Sequence, residues 1–199
     1  MGDSGGHACF GRVGGSVRPA VFLDRDGVLN AAIIREGRPY PPSSPAEVEI
    51  LPGVREACRR LREAGLLLIA VTNQPDIARG STSAATVEKI NERVLRSVGL
   101  DALVLCPHDD ADACDCRKPK PGLIVAAAAE WHVDLRRSIM VGDRWRDIGA
   151  GKAAGVSTVL IKRDYDEPPA QAPDYVAATL SDAVEWIIER AQSGSLEGK

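Results

Sequence analysis

Residues 20–27 read AVFLDRDG, an apolar run of four residues that ends abruptly in an acidic turn. A short, wholly apolar run followed by polar residues is typical of a strand that is buried on both faces of a parallel sheet. The same pattern recurs where apolar runs end in Thr72-Asn73 and in Gly142-Asp143, and helical patterns lie between these runs. Strands that alternate with helices predict a three-layer α/β fold with a central parallel sheet.

Outward from this stretch, the pattern predicts strands at 20–23, 66–71, 102–105, 138–141 and 158–161. Helices are predicted between Gly53 and Gly65, at about 83–97 and 121–131, in a short Ala/Gly-rich segment before the last strand, and near 181–192. Residues 35–49 are rich in proline, serine and charge and predict a loop. Residues 1–17 contain six glycines and no periodic apolar pattern, so we interpret them as a flexible tail before a single domain at 18–199.

Composition excludes several classes of protein. The chain has 199 residues, with 25 basic and 28 acidic side chains, so it has no overall basic field that would favour nucleic acid. No apolar run approaches the roughly 20 residues that span a bilayer, and the N-terminus does not resemble a secretory signal. An odd number of cysteines, three of them within eleven residues, argues against a disulfide scaffold and predicts a cytoplasmic setting. Cys58 lies on an apolar helix face and is predicted to be a core residue, and Cys9 lies in the tail.

Polar residues that follow the predicted strands carry the functional expectation, because ligands of open parallel sheets bind at the carboxyl ends of the strands. Grouped carboxylates repel one another unless a cation joins them, and oxygen ligands suit Mg²⁺ together with a substrate phosphate. The charged residues expected at this edge are Asp24, Asp26, Asp143, Asp147 and Lys118.

Four motifs taken together resemble the haloacid dehalogenase (HAD) superfamily of phosphohydrolases. They are DRDGV at 24–28, VTNQ at 71–74, Lys118, and GDRWRD at 142–147. They occur in the family's order and cover most of the chain. The resemblance implies a Rossmann-like HAD fold without a cap domain and a Mg²⁺-dependent phosphatase.

The resemblance also implies catalytic roles. Asp24 would be the nucleophile that forms an aspartyl-phosphate, and Asp26 would protonate the leaving oxygen and then activate water. Thr72 and Lys118 would hold the phosphoryl oxygens.

Mg²⁺ would be bound by Asp143 together with Asp24 and the backbone carbonyl of Asp26. For Asp147 two roles stay open, because this carboxylate could bind the metal through water or orient Lys118.

A second cluster lies in a polar loop, where three cysteines and one histidine fall within eleven residues. Cys₃His is a common closed zinc set, and such a loop has too few apolar residues to order itself by burial. The alternative is a group of reduced loop thiols. The predicted ligands of a structural zinc ion are Cys106, His108, Cys114 and Cys116.

The loop continues into CRKPKPG at 116–122, which resembles the subfamily that contains heptose-bisphosphate and histidinol-phosphate phosphatases. IARG at 77–80 and the PKPG segment favour a heptose 1,7-bisphosphate substrate. The five-residue gap between His108 and Cys114 is closer to the histidinol enzymes, and the apolar AAII at 31–34 departs from the heptose pattern. A histidinol phosphate or another small phosphomonoester therefore stays an alternative.

A bisphosphate requires cations beyond those that hold the transferred phosphoryl group. We expect Asn73 to contact the substrate and arginines to bind its second anionic group, with Arg117 placed at the mouth of the site by the zinc loop. The candidate arginines are Arg117, Arg144, Arg146 and Arg35.

Two other functions are weighed against hydrolysis. A zinc-stapled interaction module without catalysis would not need a carboxylate at Asp24. A phosphotransferase would use a sugar hydroxyl in place of water. We predict a monomer with a small phosphorylated substrate and with no nucleic-acid or membrane partner.

Overall fold

Six parallel strands form the central sheet in a computed structural model, which describes residues 17–193. The sheet strands are β1 (Ala20–Leu23), β4 (Leu67–Asn73), β5 (Ala102–Cys106), β6 (Ile139–Gly142), β7 (Ser157–Ile161) and β8 (Tyr175–Ala177). A separate antiparallel hairpin consists of β2 (Ile33–Arg35) and β3 (Arg38–Tyr40). The helices are α1 (Val54–Glu63), α2 (Ala84–Val98), α3 (Gly122–Glu130), α4 (Trp145–Ala153) and α5 (Leu180–Ser193). The predicted tail at 1–17, including Cys9, lies outside the described residues apart from the exposed Val17.

The three layers follow from the two-residue period of the buried strands. In β1, Val21 and Leu23 pack into a core with apolar residues of α1, α2 and α5. Ala20 and Phe22 point to the opposite face and pack into a second core with α3 and with Ala150 of α4. All four β1 residues are completely buried, which explains their continuous apolar sequence. The predicted α/β fold with a central parallel sheet is confirmed.

The prediction of a loop across 35–49 is wrong at its start, because β3 pairs with β2 there. Ile33 lies opposite Tyr40, and the chain reverses at Glu36 and Gly37, whose φ angles are 50° and 74°. Two consecutive left-handed residues form the type of turn that suits the twist of a hairpin. The strand β8 was also not predicted, since it has only three residues at the edge of the sheet.

The strand order β5-β4-β1-β6-β7-β8 decides where the polar residues meet. Since β4, β1 and β6 are neighbours and parallel, the residues after their carboxyl ends lie at one edge of the sheet. The backbone N–H of Asp24 donates to the carbonyl of Val141 at 2.9 Å, which ties the first of these turns to β6. No helix in the described part of the chain has the length and apolar character to cross a membrane.

Candidate active site

A cavity opens at this edge of the sheet, and the hairpin forms part of its wall. Its sheet side carries most of the predicted site residues, and Pro39, Tyr40 and Pro41 lie opposite them. The predicted residues that line it are Asp24, Asp26, Thr72, Asn73, Lys118, Arg144, Arg146 and Asp147.

Lys118 lies at the centre of the site, and only 2% of its surface is exposed. Its Nζ lies 2.7 Å from Asp24 Oδ1 and 2.6 Å from Asp147 Oδ1, and it donates to the carbonyl of Val71 at 2.8 Å. All three N–H donors of the ammonium therefore have acceptors. Burial alone would lower the pKa of Lys118, but the Asp147 and Asp24 carboxylates hold that pKa above its ordinary value. The lysine is charged at neutral pH.

Two carboxyl groups have strongly perturbed pKa values: Asp24, which lines the cavity, and Asp143, which lines a neighbouring depression. Burial raises the pKa of Asp24 to about 6; Lys118 opposes this rise, while the charges of Asp147 and Asp26 add to it. Burial, together with the charges of Asp24 and Asp147, raises the pKa of Asp143 well above its ordinary value. Both shifts express the free-energy cost of placing several anions in a desolvated site.

The same carboxylates could hold a divalent cation. Oxygen atoms of Asp24, Asp143 and Asp147 lie within 4.8 Å of one another. Asp143 Oδ1 is buried and has no hydrogen-bond partner among the described residues. A buried carboxylate oxygen without a hydrogen-bond partner, on a residue whose carboxylate lies close to two others, offers the hard ligands that Mg²⁺ requires, so the residues present fit that metal.

Both oxygens of Asp147 are engaged by the protein itself. Oδ1 pairs with Lys118, and Oδ2 accepts the backbone N–H of Arg144 at 3.0 Å, at the start of α4. Of the two roles that the sequence leaves open, this geometry favours the orientation of Lys118.

Asp26 is held by side chains that we did not predict. Its carboxylate accepts hydrogen bonds from Arg25 at 2.7 and 3.2 Å, from Asn30 at 2.9 Å and from Gln74 at 3.1 Å. Arg25 is completely buried, and its guanidinium also donates to Asn91 at 2.6 Å. One signal in the sequence was available, since an arginine directly after a buried strand and between two aspartates needs a carboxylate partner.

Asn73 and Thr72 line the cavity with different hydrogen-bonding roles. The amide of Asn73 donates to the carbonyl of Lys118 and accepts its backbone N–H, both at 3.1 Å. We expected Asn73 to contact substrate, but its amide is occupied in fixing the Lys118 segment. The Thr72 hydroxyl accepts from Gln74 at 2.9 Å, which leaves its own proton free to donate.

Two of the candidate arginines reach the cavity. Arg144 is paired with Glu167, with Nε 2.8 Å from Oε2. Arg146 lies 4.7 Å from the ring centre of Trp145 and donates to Asp110 at 3.1 and 3.3 Å.

The structure does not place the other two arginines at the cavity. Arg117 donates to Asp110 at 2.8 Å and to the carbonyl of His108 at 3.2 Å, so the expectation that it lies at the mouth is corrected. These contacts turn its guanidinium toward residues 106–116, the loop that contains the four predicted zinc ligands, which we call the metal loop. Arg35 lies 5.5 Å from the ring centre of Tyr40 and lines a neighbouring depression.

The four predicted zinc ligands do meet. Sulfur–sulfur distances are 3.1 Å for Cys106–Cys116, 3.4 Å for Cys114–Cys116 and 3.6 Å for Cys106–Cys114. His108 Nδ1 lies 3.3 Å from Cys116 Sγ and 3.6 Å from Cys106 Sγ. A tetrahedral ion with Zn–S bonds of about 2.3 Å has ligand–ligand edges of roughly 3.5–3.8 Å, and the distances of 3.1–3.6 Å here are equal to or shorter than these edges. The four donors are therefore close enough to surround one ion, and three thiols with one imidazole form a set that fits zinc.

Salt bridges fasten this metal loop to the segments around the cavity. Asp109 accepts from Arg79 in the segment after β4, at 2.7 and 2.8 Å. Asp110 joins Arg117 to Arg146 of α4. The loop is therefore connected to two walls of the site and continues directly into Lys118.

Comparison with known proteins gives a consistent result. A family model described as HAD-hydrolase-like matches residues 115–183. The D-glycero-beta-D-manno-heptose-1,7-bisphosphate 7-phosphatase of Escherichia coli (strain K12) is 37% identical over 184 residues, which cover 85% of this chain and 93% of that protein. The D-glycero-D-manno-heptose-1,7-bisphosphate 7-phosphatase of Thermosynechococcus vestitus is 37% identical over 193 residues, which cover 85% of this chain and 95% of that protein. The crystal structure of D,D-heptose 1,7-bisphosphate phosphatase from B. bronchiseptica, complexed with magnesium and phosphate, matches with a TM-score of 0.72 and 31% identity, covering 86% of this chain and 98% of that one.

Proposed function

The chain belongs to the HAD-like hydrolases, in the family of the D-glycero-D-manno-heptose-1,7-bisphosphate 7-phosphatases, and from this premise we propose that it removes the 7-phosphate of D-glycero-D-manno-heptose 1,7-bisphosphate. The observation that carries the proposal is the buried Lys118 ammonium between Asp24 and Asp147, together with the buried Asp143 oxygen that has no hydrogen-bond partner within residues 17–193. This arrangement offers a nucleophile, a fixed cation and a place for a metal at one edge of the sheet.

The reaction proceeds in two displacements. Asp24 attacks phosphorus, the bond to the sugar oxygen breaks, and an aspartyl-phosphate forms as Asp26, which must be protonated in the substrate complex, gives that proton to the leaving oxygen. Asp26 then takes a proton from a water molecule that attacks the same phosphorus, and the Asp24 carboxylate and inorganic phosphate are released. The hydrogen bonds from Arg25, Asn30 and Gln74 hold the Asp26 carboxyl in place for both proton transfers.

Charge stabilisation comes from residues that are already oriented. Lys118 is fixed by two carboxylates and by the Val71 carbonyl, so its three N–H groups are engaged, and its charge beside Asp24 attracts the transferred group, to which the Thr72 hydroxyl can donate. A fixed charge and a free hydroxyl donor need no rearrangement as charge develops. Mg²⁺, when bound by Asp24, Asp143 and the Asp26 carbonyl, neutralises the repulsion between the carboxylate nucleophile and the phosphate.

We propose zinc as the ion of the metal loop, with Cys106, His108, Cys114 and Cys116 as its ligands. Four protein ligands leave no open position, so the ion has a structural role. Because Cys116 directly precedes Arg117 and Lys118, the ion would fix the backbone that enters Lys118.

The second phosphate of the substrate requires a cation, and Arg146 is the residue we propose for it. Its side chain is 23% exposed, and its partner Asp110 is 59% exposed, so the ion pair between them is screened and worth little. A phosphate can therefore replace Asp110 at small cost. Arg144 is held more firmly, because Glu167 is only 16% exposed.

Phosphate release from a substrate panel tests the proposal. Purified protein is assayed with Mg²⁺ on both anomers of heptose 1,7-bisphosphate, on heptose 7-phosphate and on histidinol phosphate, and ³¹P NMR identifies the ester that is lost. We expect the highest kcat/KM for a heptose 1,7-bisphosphate with loss of the 7-phosphate. Faster turnover of histidinol phosphate would overturn the substrate assignment, and sugar phosphorylation in place of phosphate release would indicate a transferase.

Two variants test the residues. Asp24→Asn is expected to lose several orders of magnitude in kcat, and retained turnover would contradict the aspartyl-phosphate mechanism and favour a non-catalytic role for the zinc-loop protein. Arg146→Ala is expected to raise KM for the bisphosphate about tenfold or more and to leave KM for heptose 7-phosphate nearly unchanged. An equal rise in KM for both substrates would show that Arg146 does not bind the second phosphate.

A further inference from the structure

The connection between β7 and β8 folds back over the catalytic edge of the sheet. Within it, Arg163, Tyr165 and Glu167 are half-buried, whereas the residues that alternate with them are exposed. This alternation directs every second side chain toward the body of the protein, and the segment turns at its end, where the N–H of Glu167 donates to the carbonyl of Tyr165 at 2.9 Å. We call residues 163–167 the clamp segment.

Each inward side chain of the clamp segment contacts a different part of the site. The Arg163 guanidinium donates to the carbonyl of Gly27 at 2.9 and 3.2 Å, in the turn that follows β1. The Tyr165 hydroxyl donates to Asp143 Oδ2 at 2.7 Å. Glu167 accepts from Arg144.

The backbone of the segment contributes one more contact. The N–H of Asp166 donates to the carbonyl of Gly37 in the hairpin turn, at 2.8 Å. The clamp segment thus contacts the turn after β1, which carries the nucleophile Asp24, the loop after β6 and the hairpin turn.

The contact of Tyr165 with Asp143 gives the two oxygens of the Asp143 carboxylate different surroundings. Oδ2 accepts the tyrosine proton, whereas Oδ1 is buried without a hydrogen-bond partner among the described residues. Oxygens of Asp24 and Asp147 lie within 4.8 Å of an Asp143 oxygen. A carboxylate fixed through one oxygen presents the other in a defined direction.

The first turn leaves room for this contact. Gly27 has a φ angle of 88°, and a Cβ built there would lie 1.8 Å from Asp143 Oδ2 and 2.8 Å from the Tyr165 hydroxyl oxygen. A side chain at position 27 would therefore occupy the place where the tyrosine meets the aspartate. The absence of a Cβ at position 27 therefore allows the Tyr165 hydroxyl to reach Asp143.

We propose that Tyr165 is a positioning residue for the metal: its hydroxyl fixes Asp143 so that Oδ1 faces the cation, and the clamp segment keeps the three surrounding elements in register. The inference rests on the proposed function, because it takes Asp143 as a ligand of Mg²⁺. Partners that orient a ligating carboxylate typically contribute 10–100-fold to metal affinity.

The test is Tyr165→Phe, which keeps the ring and removes only the hydroxyl. Tyr175→Phe is the matched control, because Tyr175 stacks on Trp186 at 5.2 Å and does not line the catalytic cavity. Binding of MgCl₂ to the zinc-loaded protein is measured by isothermal titration calorimetry, and the Mg²⁺ concentration for half-maximal phosphate release is measured separately. Circular dichroism melts in magnesium-free buffer verify that both variants are folded.

We expect Tyr165→Phe to weaken Mg²⁺ binding about tenfold or more and to raise the half-maximal Mg²⁺ concentration in parallel, with Tyr175→Phe equal to the wild type. An unchanged dissociation constant for Tyr165→Phe, with normal binding by the wild type, would overturn the inference and leave the proposed function intact. A wild type that neither binds Mg²⁺ nor hydrolyses a phosphomonoester would overturn the proposed function itself. A loss of kcat at saturating Mg²⁺ with unchanged affinity would also count against the positioning role.

Discussion

Replacing Asp24 with asparagine is expected to abolish turnover and, in magnesium-free buffer, to stabilise the fold. The carboxylate of Asp24 is 7% exposed and shares its surroundings with Asp143 and Asp147. Asparagine keeps the shape of the side chain and an oxygen that can accept from Lys118, but it removes one of the crowded charges. Lys118 keeps its charged partner Asp147 in the variant.

The size of the effect follows from the pKa of Asp24. Burial raises it from 3.8 to about 6 in spite of Lys118, and at 1.36 kcal/mol per pH unit this amounts to about 3 kcal/mol against the folded state when the group is ionised. Asparagine loses part of the hydrogen bonding, so we expect a net gain of about 2 kcal/mol, or roughly 4–8 °C in Tm for a domain of this size. The charge of Asp24 is also among the causes that raise the pKa of Asp143. Removing the Asp24 charge therefore also relieves Asp143, which adds to the stability of the variant.

The pH dependence has a defined sign. Well below pH 4 the Asp24 carboxyl is protonated in both the folded and the unfolded wild type, so the charge penalty is absent, and Asp24→Asn should be about 1 kcal/mol less stable than the wild type because its hydrogen bonding is weaker. As the pH rises toward about 6, the unfolded chain loses the proton before the folded one, so the wild type loses stability. Asparagine does not titrate, so the free energy of unfolding of Asp24→Asn relative to that of the wild type should increase over this pH range and stay constant above about pH 6.

Urea unfolding followed by circular dichroism at several pH values measures this difference. Magnesium is removed without a chelator, so that the zinc stays in its loop. Asp26→Asn is the matched control with the opposite expected sign, because it would leave the completely buried Arg25 without its carboxylate. Loss of one partner of a buried ion pair destabilises by about 3 kcal/mol.

An Asp24→Asn variant less stable than the wild type at pH 8 would refute the burial account. If Asp26→Asn were equally stabilising, the Arg25–Asp26 pair would have no energetic role. Addition of Mg²⁺ gives a second check, since mass action should stabilise the wild type and should have less effect on Asp24→Asn.

Three further outcomes are expected. Cys116→Ser should lose the zinc that elemental analysis finds in the wild type and should melt at a lower temperature, whereas a wild type that contains no zinc would refute the assignment of the loop. Gly27→Ala should weaken Mg²⁺ binding at least about tenfold, because its Cβ would lie 1.8 Å from Asp143 Oδ2, and unchanged calorimetric binding would show that the turn can relax. Burial raises the pKa of the Cys58 thiol to about 12, so iodoacetamide at pH 8 should leave Cys58 unmodified until the protein is unfolded, and peptide mass spectrometry that finds rapid labelling of the native protein would contradict its burial.

The sequence predicts the buried strands best because burial on both faces leaves a continuous apolar run. The bounds of β1 agree with the prediction at 20–23, and those of β6 differ from it by one residue at each end. The hairpin and β8 have three residues in each strand, and their pairing depends on a turn or on a distant neighbour. Local pattern does not contain that information.

The site residues also differ in how far the local sequence predicts them. Asp24, Thr72 and Asp143 were predicted because each follows a buried strand, and Lys118 was predicted because it completes the family motifs. Tyr165 was missed because its role depends on a loop that folds back over Asp143, 22 positions away in the sequence. The misplaced Arg117 has a related cause, since its direction is decided by Asp110 and not by its position next to Lys118.

Charge accounting explains why the site favours a divalent cation. Arg25 is paired with Asp26, Arg144 with Glu167 and Arg146 with Asp110. The charges that remain in the site are the carboxylates of Asp24, Asp143 and Asp147 and the ammonium of Lys118. Full ionisation gives three negative charges against one positive, a net charge of −2 that is equal and opposite to that of Mg²⁺. Without the metal, the imbalance is relieved by proton uptake, which is why burial and mutual repulsion raise the pKa of both Asp24 and Asp143. The same free-energy cost that destabilises the metal-free fold therefore becomes a driving force for metal binding, and removal of the Asp24 or the Asp143 charge should reduce both together.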